Sequence, residues 1–207
     1  MFKGTPETVA QRRDEIVAAC EQLYQTMSFK DITLKEISSV TSFSRPTIYN
    51  YFQTKEEIFL ALFEREYDRW NEDLEKTLSS DKVFSRMELA EQIAKSLERR
   101  TQLLRLLSMN NYDMEENSRE ELLASFKRAY GKSLKLFREI LRKHVSGMSD
   151  AEVEQIMYVF FPFMFGIYPY AEVTAKQKDA MKEAGVDYKY QTIYEITYNC
   201  LKRLLKN

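Results

Sequence analysis

Between Ser44 and Phe52 the chain gathers a guanidinium, a hydroxyl, a phenol and a carboxamide, on Arg45, Thr47, Tyr49 and Asn50. These donors and acceptors read base edges and phosphates in a DNA major groove when one helix presents them on one face. Ile48 and Phe52, four residues apart, supply the inward side of such a helix. That leaves Arg45, Pro46, Thr47, Tyr49 and Asn50 at its open end or on its outer face. Other chemistry has little to build with. His144 is the single histidine, Cys20 and Cys200 are the two cysteines, and no glycine-rich phosphate loop occurs. A catalytic constellation, a metal site and a bound cofactor are therefore not expected.

The elements that would position these groups are helices. Thr33 can cap a short helix, with Glu36 three residues on completing a capping box, and Leu34, Ile37 and Val40 give that helix an apolar face. Thr41, Ser42 and Phe43 break the pattern. Ser44 can then cap a second helix that tolerates Pro46 in its first turn. Together residues 33–57 read as a helix-turn-helix. A preceding helix from about Thr8 to Met27 carries the stripe Ile16, Ala19, Cys20, Leu23, with Phe29 and Ile32 closing a small core beneath the motif. After Thr54, a further cap, Phe59, Leu62, Phe63, Tyr67, Trp70, Leu74 and Leu78 mark one long helix that would connect two bodies.

The remainder is also helical, so the fold class is all-α. Ile93, Ala94 and Leu97 mark one helix, the leucines at 103, 104, 106 and 107 a short one, and Asn110–Ser118 reads as a loop. A long amphipathic helix follows from Arg119 to about Val145 and is ended by Ser146 and Gly147. Ser149, with Glu152 three residues on, caps the next, which runs into the aromatic stretch Tyr158–Phe165. A short surface helix, Thr174–Ala184, and a last helix over roughly Tyr188–Leu205 complete the chain.

Composition sets wider bounds. The 207 residues carry 31 Lys and Arg against 32 Asp and Glu, so bulk charge does not announce a nucleic-acid partner. Over residues 1–55 seven basic residues face six acidic ones, and any phosphate affinity must come from placement. The N-terminus has no apolar run that could act as a signal peptide. Ile156–Ala171 is shorter than the ~20 residues of a membrane helix. A cytoplasmic protein with reduced thiols and no membrane association is expected.

Residues 8–60 resemble the DNA-binding domain of the tetracycline-repressor (TetR) family of transcriptional regulators. The likeness rests on Ile16 and Ala19, on Thr33 before Ile37, on the run Ser44-Arg45-Pro46-Thr47-Ile48-Tyr49-Asn50-Tyr51-Phe52, and on Lys55-Glu56-Glu57-Ile58. One departure is the turn, where the family's usual Ala-Gly pair is replaced by Thr41 and Ser42. A left-handed backbone at Ser42 would cost up to about 1 kcal/mol relative to glycine.

The resemblance implies an N-terminal three-helix DNA-binding domain, residues 1–55, joined by a long helix to a larger effector-binding and dimerisation domain, residues 56–207. It implies a homodimer that sets two recognition helices into successive major grooves of a palindromic double-stranded operator. Carried over by position, Arg45, Thr47 and Tyr49 fall at base edges with Lys35 reaching in, while Thr33, Asn50, Tyr51 and Lys55 fall at phosphates. Ser44 and Pro46 complete the DNA-facing set, Ser44 chiefly as a cap, and Tyr51 is equally placed to pack inward. A small, largely apolar effector is implied as well, and Met109, Tyr112, Phe126, Tyr130, Phe160, Phe163 and Met164 could line its pocket or simply be core. The last two long helices are apolar on more than one face, as a dimer interface requires. The alternative to a ligand-responsive repressor is a helical interaction module that no longer binds DNA.

Overall fold

The computed structural model describes residues 5–109 and 111–206, with Asn111 described by its backbone. Every regular element among the described residues is a helix, and none of them forms a strand. In order the helices are α1 (Pro6–Tyr24), α2 (Leu34–Ser39), α3 (Arg45–Tyr49), α4 (Lys55–Ser79), α5 (Arg86–Glu98), α6 (Thr101–Leu107), α7 (Asn111–Glu116), α8 (Glu120–His144), α9 (Asp150–Ala171), α10 (Ala175–Glu183) and α11 (Ile193–Leu204). Two compact units result. The first joins Met1–Arg65 to Asn110–Ala129, and the second joins Glu66–Met109 to Tyr130–Asn207. The division falls inside α4, ten residues past the start of that helix, and the first unit borrows a segment from the second half of the chain.

The first unit is built on aliphatic and aromatic side chains from each of its helices. Ile16, Cys20, Ile37, Ile48, Phe52 and Phe59 are wholly buried. Tyr24 meets Phe59 edge-on at 5.2 Å, Phe29 does so at 4.7 Å, and Phe126 of α8 lies 4.9 Å from Phe63 of α4. α4 starts where Thr54 accepts the Glu57 amide at 3.2 Å, as its sequence requires.

In the second unit Trp70 is wholly buried, and its indole N–H donates to the Ser96 hydroxyl at 3.0 Å. Phe137 stacks on Phe160 at 4.9 Å. Asn71 and Ser133, also wholly buried, satisfy one another at 2.6 Å, which removes most of the cost of placing them in an apolar core. α5 and α11 pack side by side, and α9 packs on α6 and α11.

Three sequence expectations are corrected. Within the stretch expected as a loop, Asn111–Glu116 form the short helix α7, anchored by the buried Met114 despite the polar composition around it. The last helix begins at Ile193, where Thr192 and Glu195 form a capping box; Tyr188 and Tyr190 precede it and pack ring to ring at 5.2 Å. Ser42 carries no left-handed backbone, since no non-glycine residue among those described has a positive φ. No single described helix is long and apolar enough to cross a membrane. Cys20 is buried, and burial pushes the half-buried Cys200 thiol up to about 11.

His144, the last residue of α8, is buried. Its Nδ1 accepts the Phe84 amide at 3.1 Å, and its ring lies 5.0 Å from that of Phe84. Burial lowers its affinity for a proton, against a smaller opposing pull from the Thr77 backbone. An unfolded chain takes up that proton near a pH of about 6.5. The contribution of His144 is therefore complete above that pH and is lost as pH falls below it. Urea unfolding at pH 7.5 and pH 5.5 should show a loss of stability in acid that is smaller in His144→Gln.

Candidate nucleic-acid interface

The short helix α3 spans Arg45–Tyr49, five residues, too few to be stable in isolation. Its form depends on what holds its inner face. Ile48 and Phe52 are wholly buried, and Tyr51 is 4% exposed. Arg12 and Arg13 of α1 brace it from behind. The Arg12 guanidinium donates to the Tyr51 hydroxyl at 3.1 Å and lies over the Phe43 ring. That of Arg13 donates to the Tyr51 carbonyl at 3.3 Å and lies 4.4 Å from the centre of the Phe52 ring.

The outer side is open. Arg45, Pro46, Tyr49 and Asn50 are exposed, with Tyr49 at 49%, and Thr47 is half-buried. Pro46 sits in the first turn, where its missing N–H costs nothing. Ser44 holds the N-cap position without capping a backbone amide; its hydroxyl pairs with that of Thr47 at 3.0 Å. Lys35 is exposed on α2. Thr33 caps α2 by accepting the Lys35 amide at 3.1 Å, and its hydroxyl donates to the Glu36 carboxylate.

Two of the expected phosphate contacts are otherwise engaged. Lys55 donates to the Phe29 carbonyl at 2.9 Å and sits 4.2 Å from the centre of that ring, so its ammonium ties α4 to the loop after α1. Tyr51 takes the packing role. Arg45, Thr47, Tyr49, Asn50 and Lys35 remain as an outward group carried on α2 and α3.

The turn between those helices is secured by a residue that sequence reading missed. Glu15 of α1 accepts both the Ser42 amide at 2.9 Å and the Ser42 hydroxyl at 2.7 Å, and these two bonds hold its carboxyl below the usual range. Ser42→Gly, which would relieve a left-handed backbone, should here destabilise slightly, by less than about 1 kcal/mol, through loss of the hydroxyl bond; thermal unfolding of the variant checks this. The adjacent pair Arg12-Arg13 was the one visible sign of bracing, and its partners lie 39 and 38 residues away.

The seven residues suggested for an effector pocket are divided between the two units, and those of the second unit do not share one pocket. Phe126 and Tyr112 lie in the first unit, Phe126 packed on Phe63 and Tyr112 84% exposed. In the second unit Phe160 and Met164 are wholly buried core, Met109 and Phe163 are half-buried, and Tyr130 lines a cleft. That cleft, of ≈ 270 Å³ between α8 and α9, is walled by Tyr130, Leu134, Met157, Phe161 and Pro162, with Tyr158 and the Arg138–Glu154 ion pair also on its lining. The pair is bidentate, at 2.5 and 3.0 Å. Pro162 lacks an amide hydrogen, so the Tyr158 carbonyl one turn earlier loses its helical donor.

Comparison with known proteins agrees with this architecture. Residues 16–62 match the family of bacterial regulatory proteins of the tetR type, and residues 64–189 match the tetracyclin repressor-like C-terminal domain. The uncharacterized HTH-type transcriptional regulator YfiR of Bacillus subtilis (strain 168) is 29% identical over 83 residues, which cover 40% of this chain and 40% of that protein. Among solved structures, a TetR/AcrR-family transcriptional regulator from Thermobifida fusca YX-ER1 superposes with a TM-score of 0.60 at 15% identity, over 95% of this chain and 97% of its own. The fatty acid degradation regulator FadR from Bacillus halodurans does so with a TM-score of 0.60 at 16% identity, over 99% and 97%. At such identities these structures speak to the fold. The two family matches together run from Ile16 to Lys189, and the chain belongs to the TetR family of bacterial regulatory proteins.

Proposed function

We propose that this protein is a ligand-responsive transcriptional repressor that binds a palindromic operator as a homodimer. The observation that carries the reading is the division of α3 into two sides. One is locked by Ile48, Tyr51, Phe52 and two arginines of α1, and the other offers Arg45, Thr47, Tyr49 and Asn50 to solvent. A rigid mount for exposed donors is what direct base readout needs. Arg45, Thr47 and Tyr49 read bases with Lys35, and Thr33 and Asn50 contact phosphates.

Dimerisation is supported by α9 and α11. On α9, Tyr158 is 80% exposed, and Val159, Pro162, Phe165 and Pro169 are exposed beside it. On α11, Ile196, Cys200 and Leu204 are half-buried. A contiguous apolar face of this kind marks a protein partner. A Cβ added at Gly166 would meet nothing within 4 Å, which leaves room for a partner helix. The effector site is the cleft at Tyr130, whose lining suits a small, largely apolar molecule with one polar group. Effector binding favours a conformer whose recognition helices no longer match the operator spacing.

Selection of binding sites from random duplex DNA with the purified protein tests the reading. Recovery of a palindrome with half-sites about one helical turn apart supports it, and recovery of no sequence preference at any salt concentration refutes it.

A further inference from the structure

The link from the recognition helix α3 to α4 begins just past the C-cap Asn50, and a backbone carbonyl there is bonded by side chains from elsewhere in the chain. That carbonyl, of Tyr51, accepts from two guanidiniums. One is Arg13 of α1; the other is Arg119, which donates from Nη2 at 3.1 Å. Arg119 immediately precedes α8 and stands more than fifty residues beyond the stretch that matches the family's DNA-binding domain.

Arg119 is itself held firmly. Its Nε and Nη2 donate to the two carboxylate oxygens of Glu57 at 2.7 and 3.0 Å, and its backbone amide donates to Glu57 Oε1 at 3.2 Å. Glu57 is 1% exposed, and its Oε2 also accepts the Gln53 amide at 2.6 Å, at the link between α3 and α4. Burial pushes the Glu57 carboxyl up, and the bonds from Arg119 and from the two amides outweigh it and leave it below the usual range. One residue pair away, the Thr54 hydroxyl donates to the Asn117 carbonyl at 3.0 Å. The residue that opens α8 is thus bonded to the link that follows the recognition helix and to the start of α4, all within the first compact unit.

We infer that Arg119 is a positioning residue for DNA reading: clamped by Glu57, it fixes the C-terminal end of the recognition helix and so sets how α3 presents its outer face. A five-residue helix cannot fix its own direction. A bidentate guanidinium–carboxylate pair supplies geometric definition that a single charge does not. Residues 110–129 are on this view a working part of the DNA-reading unit.

The inference rests on the DNA-binding reading, and the operator recovered by selection serves as the probe. If wild type selects no operator, the reading fails before the inference is tested. With an operator in hand, Arg119→Ala should weaken specific binding by about tenfold while non-specific binding, and the slope of log affinity against log salt, stay as in wild type. Arg119→Lys, which keeps the charge and loses the fork, should fall between the two, and Glu57→Gln/Arg119→Ala should be no weaker than Arg119→Ala. All are measured at a temperature where circular dichroism shows each variant folded. Wild-type operator affinity in folded Arg119→Ala overturns the inference, as does a salt slope reduced by about one, which would make Arg119 a phosphate contact.

Discussion

Replacing Thr47 and Tyr49 together by alanine should abolish selection between operator and unrelated DNA and leave the fold and dimer intact. Each base contact contributes about 1–3 kcal/mol of discrimination. Two lost from each recognition helix weaken specific binding by at least about a hundredfold. The stability cost is small because Tyr49 is 49% exposed and the Thr47 side chain pairs with the exposed Ser44 hydroxyl. Alanine also favours a helix over either residue, and surface substitutions of this type move stability by about 0.5 kcal/mol or less. The core side chains Ile48, Tyr51 and Phe52 are untouched. Fluorescence anisotropy on operator and scrambled duplexes, with thermal melts of the same samples, separates lost reading from lost folding.

Val159→Arg combined with Phe165→Arg should give a folded monomer. Both side chains are exposed on α9, so neither guanidinium needs burial within the chain itself. In a dimer through this face the four added charges would meet like charges where apolar contact is required, at a cost of several kcal/mol. Sedimentation should report a single-chain species. Operator affinity should fall by about 10²–10⁴-fold, because the second half-site is no longer reached as an intramolecular event. An unchanged dimer would place the interface elsewhere.

Much of the fold was legible because helix signals are local. Ser149 with Glu152 capped α9 as its sequence dictated, Gly147 and Gly185 closed helices in the left-handed conformation open to glycine, and Thr54 opened α4. α7 was hidden because Met114, buried among its described side chains, is surrounded by polar residues and leaves no apolar period to detect. The outward residues of α3 could be read from spacing alone, since Ile48 and Phe52 define the inner face. The roles of Tyr51 and Lys55 could not. They depend on partners distant in sequence, Arg12, Arg13 and Arg119 for the first and Phe29 for the second. Ser42 shows the same limit: its backbone is ordinary, and the turn is bonded directly by Glu15, 27 residues earlier. Pocket residues were the least legible, because an aromatic residue at helical spacing looks the same whether it packs in the core, as Phe160 does, or lines a cleft, as Tyr130 does.

Titration of the wild-type protein onto its selected palindrome, with a scrambled duplex beside it and salt raised stepwise, tests whether the protein reads an operator as a dimer. A two-to-one complex of chains to duplex is expected, with an affinity at least about a thousandfold above that for the scrambled sequence and a steep linear fall of log affinity with log salt. Equal affinity for both duplexes, or binding indifferent to salt, would contradict it.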